Sequence, residues 1–125
     1  MTGLIWFVQV VHYPLFLKVP EEVRPAYCND HIQATNLVVI IPMLIELTTG
    51  IWITYQEAPS LIWIINFVLL VGIWLSTFIL QVPLHNRLTV SGKGIDAKKL
   101  VRTNWVRTVL WTLRTALLFY FELSS

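Results

Sequence analysis

The amino-acid sequence predicts an all-α fold, an integral membrane four-helix bundle with up-down-up-down topology. Apolar residues make up 56% of the 125 residues and charged residues only 13%, which lies outside the usual composition of soluble domains. The segment 62–80 has no charged side chain and is about long enough to cross a hydrocarbon core of roughly 30 Å. Four apolar segments are joined by short connections, which favours antiparallel neighbours.

We expect one transmembrane domain over residues 1–125, with helices at about 2–18, 25–55, 61–87 and 96–122. Pro20 and Pro25 break the chain after the first helix. The connection 56–60 is short. Gly92 and Gly94 mark the turn before the fourth helix, for which Asp96 is the predicted N-cap.

Lysine and arginine predict the orientation of the bundle. They concentrate at one end, as Lys18, Arg24, Arg87, Lys93, Lys98, Lys99 and Arg102. By the positive-inside rule this end is cytoplasmic, so both termini of a multi-pass cell-membrane protein lie on the non-cytoplasmic side. A basic n-region and a small-residue cleavage site are missing, so the first helix is predicted to be retained. The net charge of +2 indicates no nucleic-acid partner, and the single Cys28 excludes an intramolecular disulfide.

The fourth helix carries charge within its apolar part. Asn104, Arg107, Trp111 and Arg114 follow the spacing i, i+3, i+7 and i+10, so they share one helical face. A guanidinium that faces lipid costs roughly 3 kcal/mol or more. This face is therefore predicted to look into the protein, where other helices supply acceptors.

Helical rise gives each polar side chain an approximate depth. The cytoplasmic half of the bundle is predicted to collect His12, His31, Gln81, His85, Asn104 and Arg107. Pro14, Pro42 and Pro83 free the carbonyls of Val10, Val38 and Ile79 around this cluster, and irregular backbone at such depth favours a cavity. In the other half, Glu46 and Arg114 are predicted to form a structural ion pair with Asn66 nearby.

His12 and His31 are candidate catalytic residues, either as proton acceptors or as metal ligands. The alternative is that each ring hydrogen-bonds a carbonyl or a neighbouring side chain. The sequence admits a metal ion or haem but requires none. Glu46 lies roughly 22 Å further along the second helix, which argues against a carboxylate-bridged di-metal centre.

Five further residues are candidates for binding or catalysis. Arg107 and Asn104 are predicted to stabilise an oxyanion. His85, Gln81 and Trp111 are candidate ligand- or cofactor-binding residues, with Trp111 as a flat aromatic wall. The alternatives are that His85 is an ordinary interfacial histidine, that Gln81 forms interhelical hydrogen bonds, and that Trp111 packs in the core.

The segments Q-V-P-L-H-N-R-L at 81–88 and N-W-V-R-T at 104–108 carry a family resemblance. They resemble the anthrone-oxygenase-like family of small four-helix membrane proteins, in which a V-P-x-N-x-x-L type segment ends the third helix. Pro83, Asn86 and Leu88 match this segment, and Arg107-Thr108 or Arg114-Thr115 matches the Arg-Thr that follows. The chain lacks the histidine of that family's fourth helix. The resemblance implies a phenolic or quinone-like polycyclic substrate that is oxidised with O₂ in a membrane pocket.

Two functions of different classes fit these observations. The first is a membrane oxidoreductase or monooxygenase that acts on a lipophilic aromatic or quinone-like small molecule. The second is a non-catalytic accessory subunit of a larger membrane complex, or a homo-oligomer, which holds a pigment, haem or lipid. A channel or transporter is disfavoured because the chain shows no repeat architecture. In either function the lipid bilayer is the expected partner.

Overall fold

The computed structural model describes residues 1–57 and 60–124. Over these residues the protein is all-helical, which confirms the predicted class, with about 90% helix and no strand. The four helices are α1 (Thr2–Phe16), α2 (Arg24–Gln56), α3 (Leu61–Ser91) and α4 (Gly94–Ser124). Of the predicted connection 56–60, residues 58 and 59 lie outside the described residues.

The helix ends differ from the predicted ones for local reasons. α1 ends at Phe16 rather than near residue 18. α3 extends past residue 87 to Ser91 and stops at Gly92, whose φ of 61° is a left-handed conformation that favours glycine. α4 begins at Gly94, so Asp96 lies in the first turn instead of at the N-cap. A carboxylate there still offsets the positive end of the helix dipole.

Two of the three intrahelical prolines follow a π-helical turn. Val8–His12 precedes Pro14 in α1, and Thr77–Gln81 lies just before Pro83 in α3. A proline lacks the N–H that the regular helical ladder needs, and a π turn is a frequent adjustment at such a place. Pro42 lies within the regular α-helical α2. The first and third helices are therefore irregular at the level where their polar side chains lie.

α4 is the helix on which the others are organised. It packs along α3 and along α1, and α3 in turn packs against α2. α2 touches α3 near both ends of α3, but it does not pack closely beside the π turn Thr77–Gln81. Over the described residues, α1 and α2 also lack close backbone packing. An open space therefore remains between α1, α2 and the middle of α3.

Contacts at the helix ends fix how α2 and α3 lie together. The thiol of Cys28, near the start of α2, approaches the carbonyl of His85 near the end of α3. Thr54, near the end of α2, donates to the carbonyl of Trp63 near the start of α3. The beginning of each helix thus meets the end of the other.

Arg24 ties the loops together at the end with the basic residues. It is 4% exposed and donates from Nε to the Phe16 carbonyl at 3.0 Å and from Nη2 to the Val19 carbonyl at 2.6 Å. Its Nη1 also donates to the carbonyl of Gly92. One side chain therefore satisfies carbonyls from the end of α1 and from the turn between α3 and α4.

Two apolar clusters form the interior. One lies near the Arg24 end and consists of Tyr13, Phe16, Cys28, Leu84, Leu88, Ala97 and Leu100. The other consists of Ile5, Met43, Leu70, Ile73 and Trp111. The buried polar side chains of Gln9, Gln81, Asn104 and Arg107 belong to neither cluster.

The surface is strongly apolar. Large apolar side chains are exposed along all four helices, and over its 33 residues α2 buries only Arg24, Cys28, Met43 and Gly50. α2 and α3 are long and apolar enough to cross a membrane, and α1 is a shorter apolar helix. Exposed apolar faces of this extent are found where a protein meets lipid or another protein.

Candidate functional site: a cavity with a histidine cluster and a buried arginine

A cavity of about 720 Å³ occupies the space between α1, α2 and α3. Its size falls within the range of roughly 300–1,000 Å³ that is typical of small-molecule sites. The walls are largely apolar, with Phe7, Ile32, Met43 and Trp74 among the lining residues. The polar part of the wall contains His12, Tyr13, His31, Gln81, His85 and Arg107.

His12 and His31 bridge α1 and α2 at this cavity. His12 Nε2 and His31 Nδ1 lie 2.7 Å apart, so one ring donates a hydrogen bond to the other. Phe16 packs edge-on against both rings, with centroid distances of 5.6 Å and 5.1 Å. The pair is thus a hydrogen-bonded unit that can take up or release a proton as a whole.

His85 extends the cluster from α3. Its ring stacks on His31 with centroids 5.5 Å apart and planes 14° apart. Its Nδ1 lies 2.9 Å from the carbonyl oxygen of Gln81, and because a carbonyl can only accept, Nδ1 carries a hydrogen. The Nε2 of the neutral ring is then an acceptor, and the Tyr13 hydroxyl lies 3.4 Å from it.

Arg107 brings a charge to the cavity wall from α4. The residue is 5% exposed, and no carboxylate lies within ion-pair distance of it among residues 1–57 and 60–124. Its contacts are long: Nη1 lies 3.5 Å from Asn104 Oδ1 and Nη2 lies 4.0 Å from the Met43 sulfur. Nε has no hydrogen-bond partner in the described part of the chain, although Arg107 also interacts with Tyr13.

A buried charge without a counter-ion is costly. Arg107 lines the cavity, and within the described residues its buried charge has no counter-ion. An oxygen atom that carries negative charge, held in the cavity beside the guanidinium, would supply one.

Amide side chains hold α4 in place behind the cavity. Gln9 donates to the carbonyl of Val101 at 3.1 Å and accepts from Asn104 Nδ2 at 2.9 Å. Gln81 donates to Thr103 at 3.0 Å, while its Oε1 is buried without a partner among the described residues. The two π turns thus present one amide each to α4 at the same level.

Two of the candidate site residues lie outside the cavity wall. Asn104 is fully buried and contacts the site through Arg107, so it can position the guanidinium without touching a ligand. Trp111 lies in the apolar cluster with Met43 and Leu70. The aromatic wall predicted for Trp111 is instead provided by Trp74, which lines the cavity.

His12 and His31 contact each other directly instead of being separated by the distance that a shared metal ion would impose. Two nitrogens that share a metal at about 2.1 Å each would lie roughly 3.4 Å apart in tetrahedral geometry, whereas His12 and His31 are in direct hydrogen-bond contact. No group of three or more metal-ligating His, Cys, Asp or Glu side chains occurs in the described part of the chain. The direct hydrogen bond suits proton transfer between the two rings, and the metal-ligand role of His12 and His31 stays a prediction.

Glu46 and Arg114 form an ion pair away from this cavity, through Arg114 Nη1 and Glu46 Oε2. Arg114 Nε also donates to Asn66 Oδ1 at 2.9 Å. The two arginines on the same face of α4 therefore differ: Arg114 has a carboxylate partner and Arg107 has none within the described ranges.

Tyr13 and Gln9 are the site residues that the sequence analysis did not single out. Tyr13 follows His12 directly, and a step of about 100° would turn it away from the same face in a regular α-helix. Because a π turn ends at His12, the 100° step of a regular α-helix does not predict the direction of the Tyr13 side chain. A signal for Gln9 was nevertheless present, because a glutamine precedes a histidine and a proline both at Gln9 in α1 and at Gln81 in α3.

Comparison with protein-family models, with curated proteins and with solved structures finds no match to this chain.

Proposed function

We propose that this chain is a multi-pass membrane protein that binds a lipophilic aromatic or quinone-like small molecule and oxidises it. The observation that carries the proposal is Arg107, a buried guanidinium without a carboxylate partner among the described residues, at the wall of a largely apolar cavity. The lipophilic body of the ligand fills the cavity, and its oxygen lies against Arg107.

The membrane placement is supported by the surface and by the ends of the helices. The exposed apolar side chains of α2 and α3 suit a hydrocarbon environment. The contacts of Cys28 with the His85 carbonyl and of Thr54 with the Trp63 carbonyl suit an up-down-up-down bundle. α4 spans despite its charges because Arg107 and Arg114 are buried in protein, which removes the cost of exposing them to lipid.

The positive-inside rule then orients the bundle. Lys93, Lys98, Lys99 and Arg102 lie at the end of the bundle near Arg24 and Gly92. This end is cytoplasmic, and both termini lie on the other side. The histidine cluster and Arg107 belong to the cytoplasmic half of the protein, and the cavity extends from them along α1 to Met1.

The chemistry follows from the groups around the cavity. The His12–His31 pair accepts a proton from an activated CH₂ or a phenolic hydroxyl of the substrate. Arg107, positioned by Asn104, stabilises the resulting oxyanion, which is the role of a preorganised cation. With dioxygen as the oxidant, a CH₂ group becomes a carbonyl and one water is released, so that CH₂ and O₂ give C=O and H₂O.

This proposal is tested with detergent-purified protein and anthrone, a tricyclic ketone with an acidic CH₂ group, as the substrate probe. We expect O₂ uptake that is matched by formation of the quinone, and a fall of about 100-fold or more in Arg107→Met, which removes the oxyanion partner. Arg102→Gln changes an exposed arginine of the same helix and is expected to retain activity.

A second readout separates loss of chemistry from loss of fold. Arg107→Met exchanges a buried unpaired charge for an apolar side chain of similar length, so its unfolding midpoint is expected to match or exceed that of the unmodified protein. Equal turnover in the two arginine variants, or no turnover in the unmodified protein, would contradict the oxidative function.

The alternative function is that of a non-catalytic accessory subunit. The observation that favours it is the small buried fraction of α2, whose apolar face could meet another subunit instead of lipid. Extraction in a mild detergent followed by mass measurement of the particle distinguishes the two. A larger assembly that keeps a bound ligand, without turnover, supports the accessory role.

A further inference from the structure

A second, smaller cavity of about 280 Å³ lies at the end of the bundle that is remote from Arg24 and Gly92. It is formed by the end of α2, the start of α3 and the second half of α4. The residues that matter for its chemistry are Glu46, Gly50, Ile53, Trp63, Asn66 and Arg114. It shares Met1 with the lining of the first cavity but none of the histidines and not Arg107.

Two side-chain donor groups at this cavity have no hydrogen-bond acceptor among the described residues. Asn66 is 1% exposed; its Oδ1 accepts from Arg114 Nε, but its Nδ2 has no partner in the described part of the chain. Arg114 uses Nη1 for Glu46. Its Nη2 forms no hydrogen bond with a residue of the described ranges. A buried amide donor without an acceptor is costly, so a ligand that brings an oxygen acceptor is favoured here.

The charge of the cavity selects the kind of acceptor. Glu46 pairs with Arg114 and also, at 3.2 Å, with the Met1 amino group, so its carboxylate is the counter-ion of both cations at this cavity. An anionic ligand would have to share Arg114 with the Glu46 carboxylate, and two like charges at one cation repel. A neutral carbonyl avoids this conflict. Ile53, Trp63 and Leu118 add apolar walls for a hydrocarbon segment beside it.

We propose that this second cavity binds the ester-carbonyl region of a neutral glycerolipid, with Asn66 Nδ2 and Arg114 as donors to the carbonyl oxygen. The position suits this ligand, given the membrane placement proposed above. Asn66 lies five residues after Leu61, the first residue of α3, which is about 8 Å along a helix axis. That depth is near the boundary between the headgroup region and the hydrocarbon core.

The test compares two soluble lipids in detergent by calorimetry. Dioctanoylglycerol carries two ester carbonyls, and the dioctyl diether of glycerol has the same chains without carbonyls. We expect the diester to bind about tenfold more tightly than the diether, which is the order of magnitude of one buried hydrogen bond. Equal affinities in the unmodified protein would overturn the proposal.

Asn66→Asp is the diagnostic variant, because it keeps the oxygen that accepts from Arg114 and removes the Nδ2 donor. It is expected to abolish the preference for the diester. Asn29→Asp makes the same chemical change at an exposed position of α2 and is expected to leave the preference unchanged. A preference that survives in folded Asn66→Asp would overturn the proposal, as would tighter binding of dihexanoyl phosphatidic acid, which would indicate an anion site.

Ile53→Phe keeps the test decisive if Asn66→Asp does not fold. The added ring fills the cavity without touching the polar groups, so the affinity for the diester is expected to fall at least fivefold. An unchanged affinity would contradict the site. Arg107→Met, which alters the first cavity, is expected to bind the diester normally, so failure of this inference and failure of the oxidative function give different results.

Discussion

At the scale of single residues, Arg107 and Arg114 lie on one face of α4 in different electrostatic surroundings. Arg114 contacts Glu46 and Asn66 and packs over the Trp111 ring at 5.4 Å from its centroid. Arg107 has a 3.5 Å contact to an amide oxygen and a 4.0 Å contact to a sulfur. The burial of Arg114 is therefore offset by a counter-ion, whereas that of Arg107 is not among residues 1–57 and 60–124.

Glu46→Gln is expected to lower the free energy of unfolding by about 2–3 kcal/mol, because it leaves Arg114 buried without a counter-charge. Adding Arg114→Met is expected to cost less than the sum of the two single changes, with a coupling of about 2 kcal/mol. Reversible unfolding in mixed micelles measures these values. The exposed Glu22→Gln serves as the control, and a coupling of zero would mean that the pair does not contribute to stability.

At the scale of elements, the sequence predicted the regular helix better than the irregular ones. α4 is continuous, and its predicted inward face of Asn104, Arg107, Trp111 and Arg114 is buried throughout. α1 and α3 contain π turns. Each π turn changes the rotational position of the residues that follow it, so a 3.6-residue period could not place Tyr13.

Helical rise was sufficient to bring His12, His31 and Arg107 to one level. It could not reveal that Asn104 and Trp111 lie behind the cavity wall, since this depends on how α1 packs on α4.

The turn between α3 and α4 provides an element-scale prediction. A Cβ at Gly92 would lie 2.6 Å from the Glu21 carbonyl oxygen and 2.8 Å from Pro25 Cδ, and the positive φ adds backbone strain. Gly92→Ala is expected to lower the free energy of unfolding by about 2 kcal/mol or more.

Gly3→Ala is the matched control, because a Cβ at Gly3 meets nothing within 4 Å. Alanine at this helical position is expected to stabilise by about 0.5–1 kcal/mol. Equal effects of the two substitutions on the unfolding midpoint would show that the turn tolerates a side chain.

At the scale of the whole molecule, burial and exposure are reversed relative to a water-soluble bundle. Charged and amide side chains such as Arg107, Arg114, Asn66 and Asn104 are buried, while many of the largest apolar side chains are exposed. The composition predicted this distribution in outline. It could not predict which helices would leave an opening, because that depends on α2 contacting α3 near its ends and not beside the π turn.

Cysteine labelling tests the orientation of the molecule. Cys28 is buried and is the one cysteine of the chain, so Cys28→Ser gives a background for single added cysteines. Tyr55→Cys, at a position that is 80% exposed, is expected to react with an impermeant maleimide in intact cells. Lys93→Cys is expected to react only after permeabilisation, and the opposite pattern would invert the topology.

The attachment of α2 has a mechanical consequence. This helix is anchored to α3 near Cys28 at one end and near Gly50 and Thr54 at the other, and its middle part has no close helix neighbour along the π turn. A helix that is fixed at both ends can bend in its middle while the contacts at the two ends stay in place. A guest larger than the cavity would bend this middle part outwards and separate His31 from His12 and Met43 from its apolar cluster, so these contacts oppose it together with the bending stiffness of the helix.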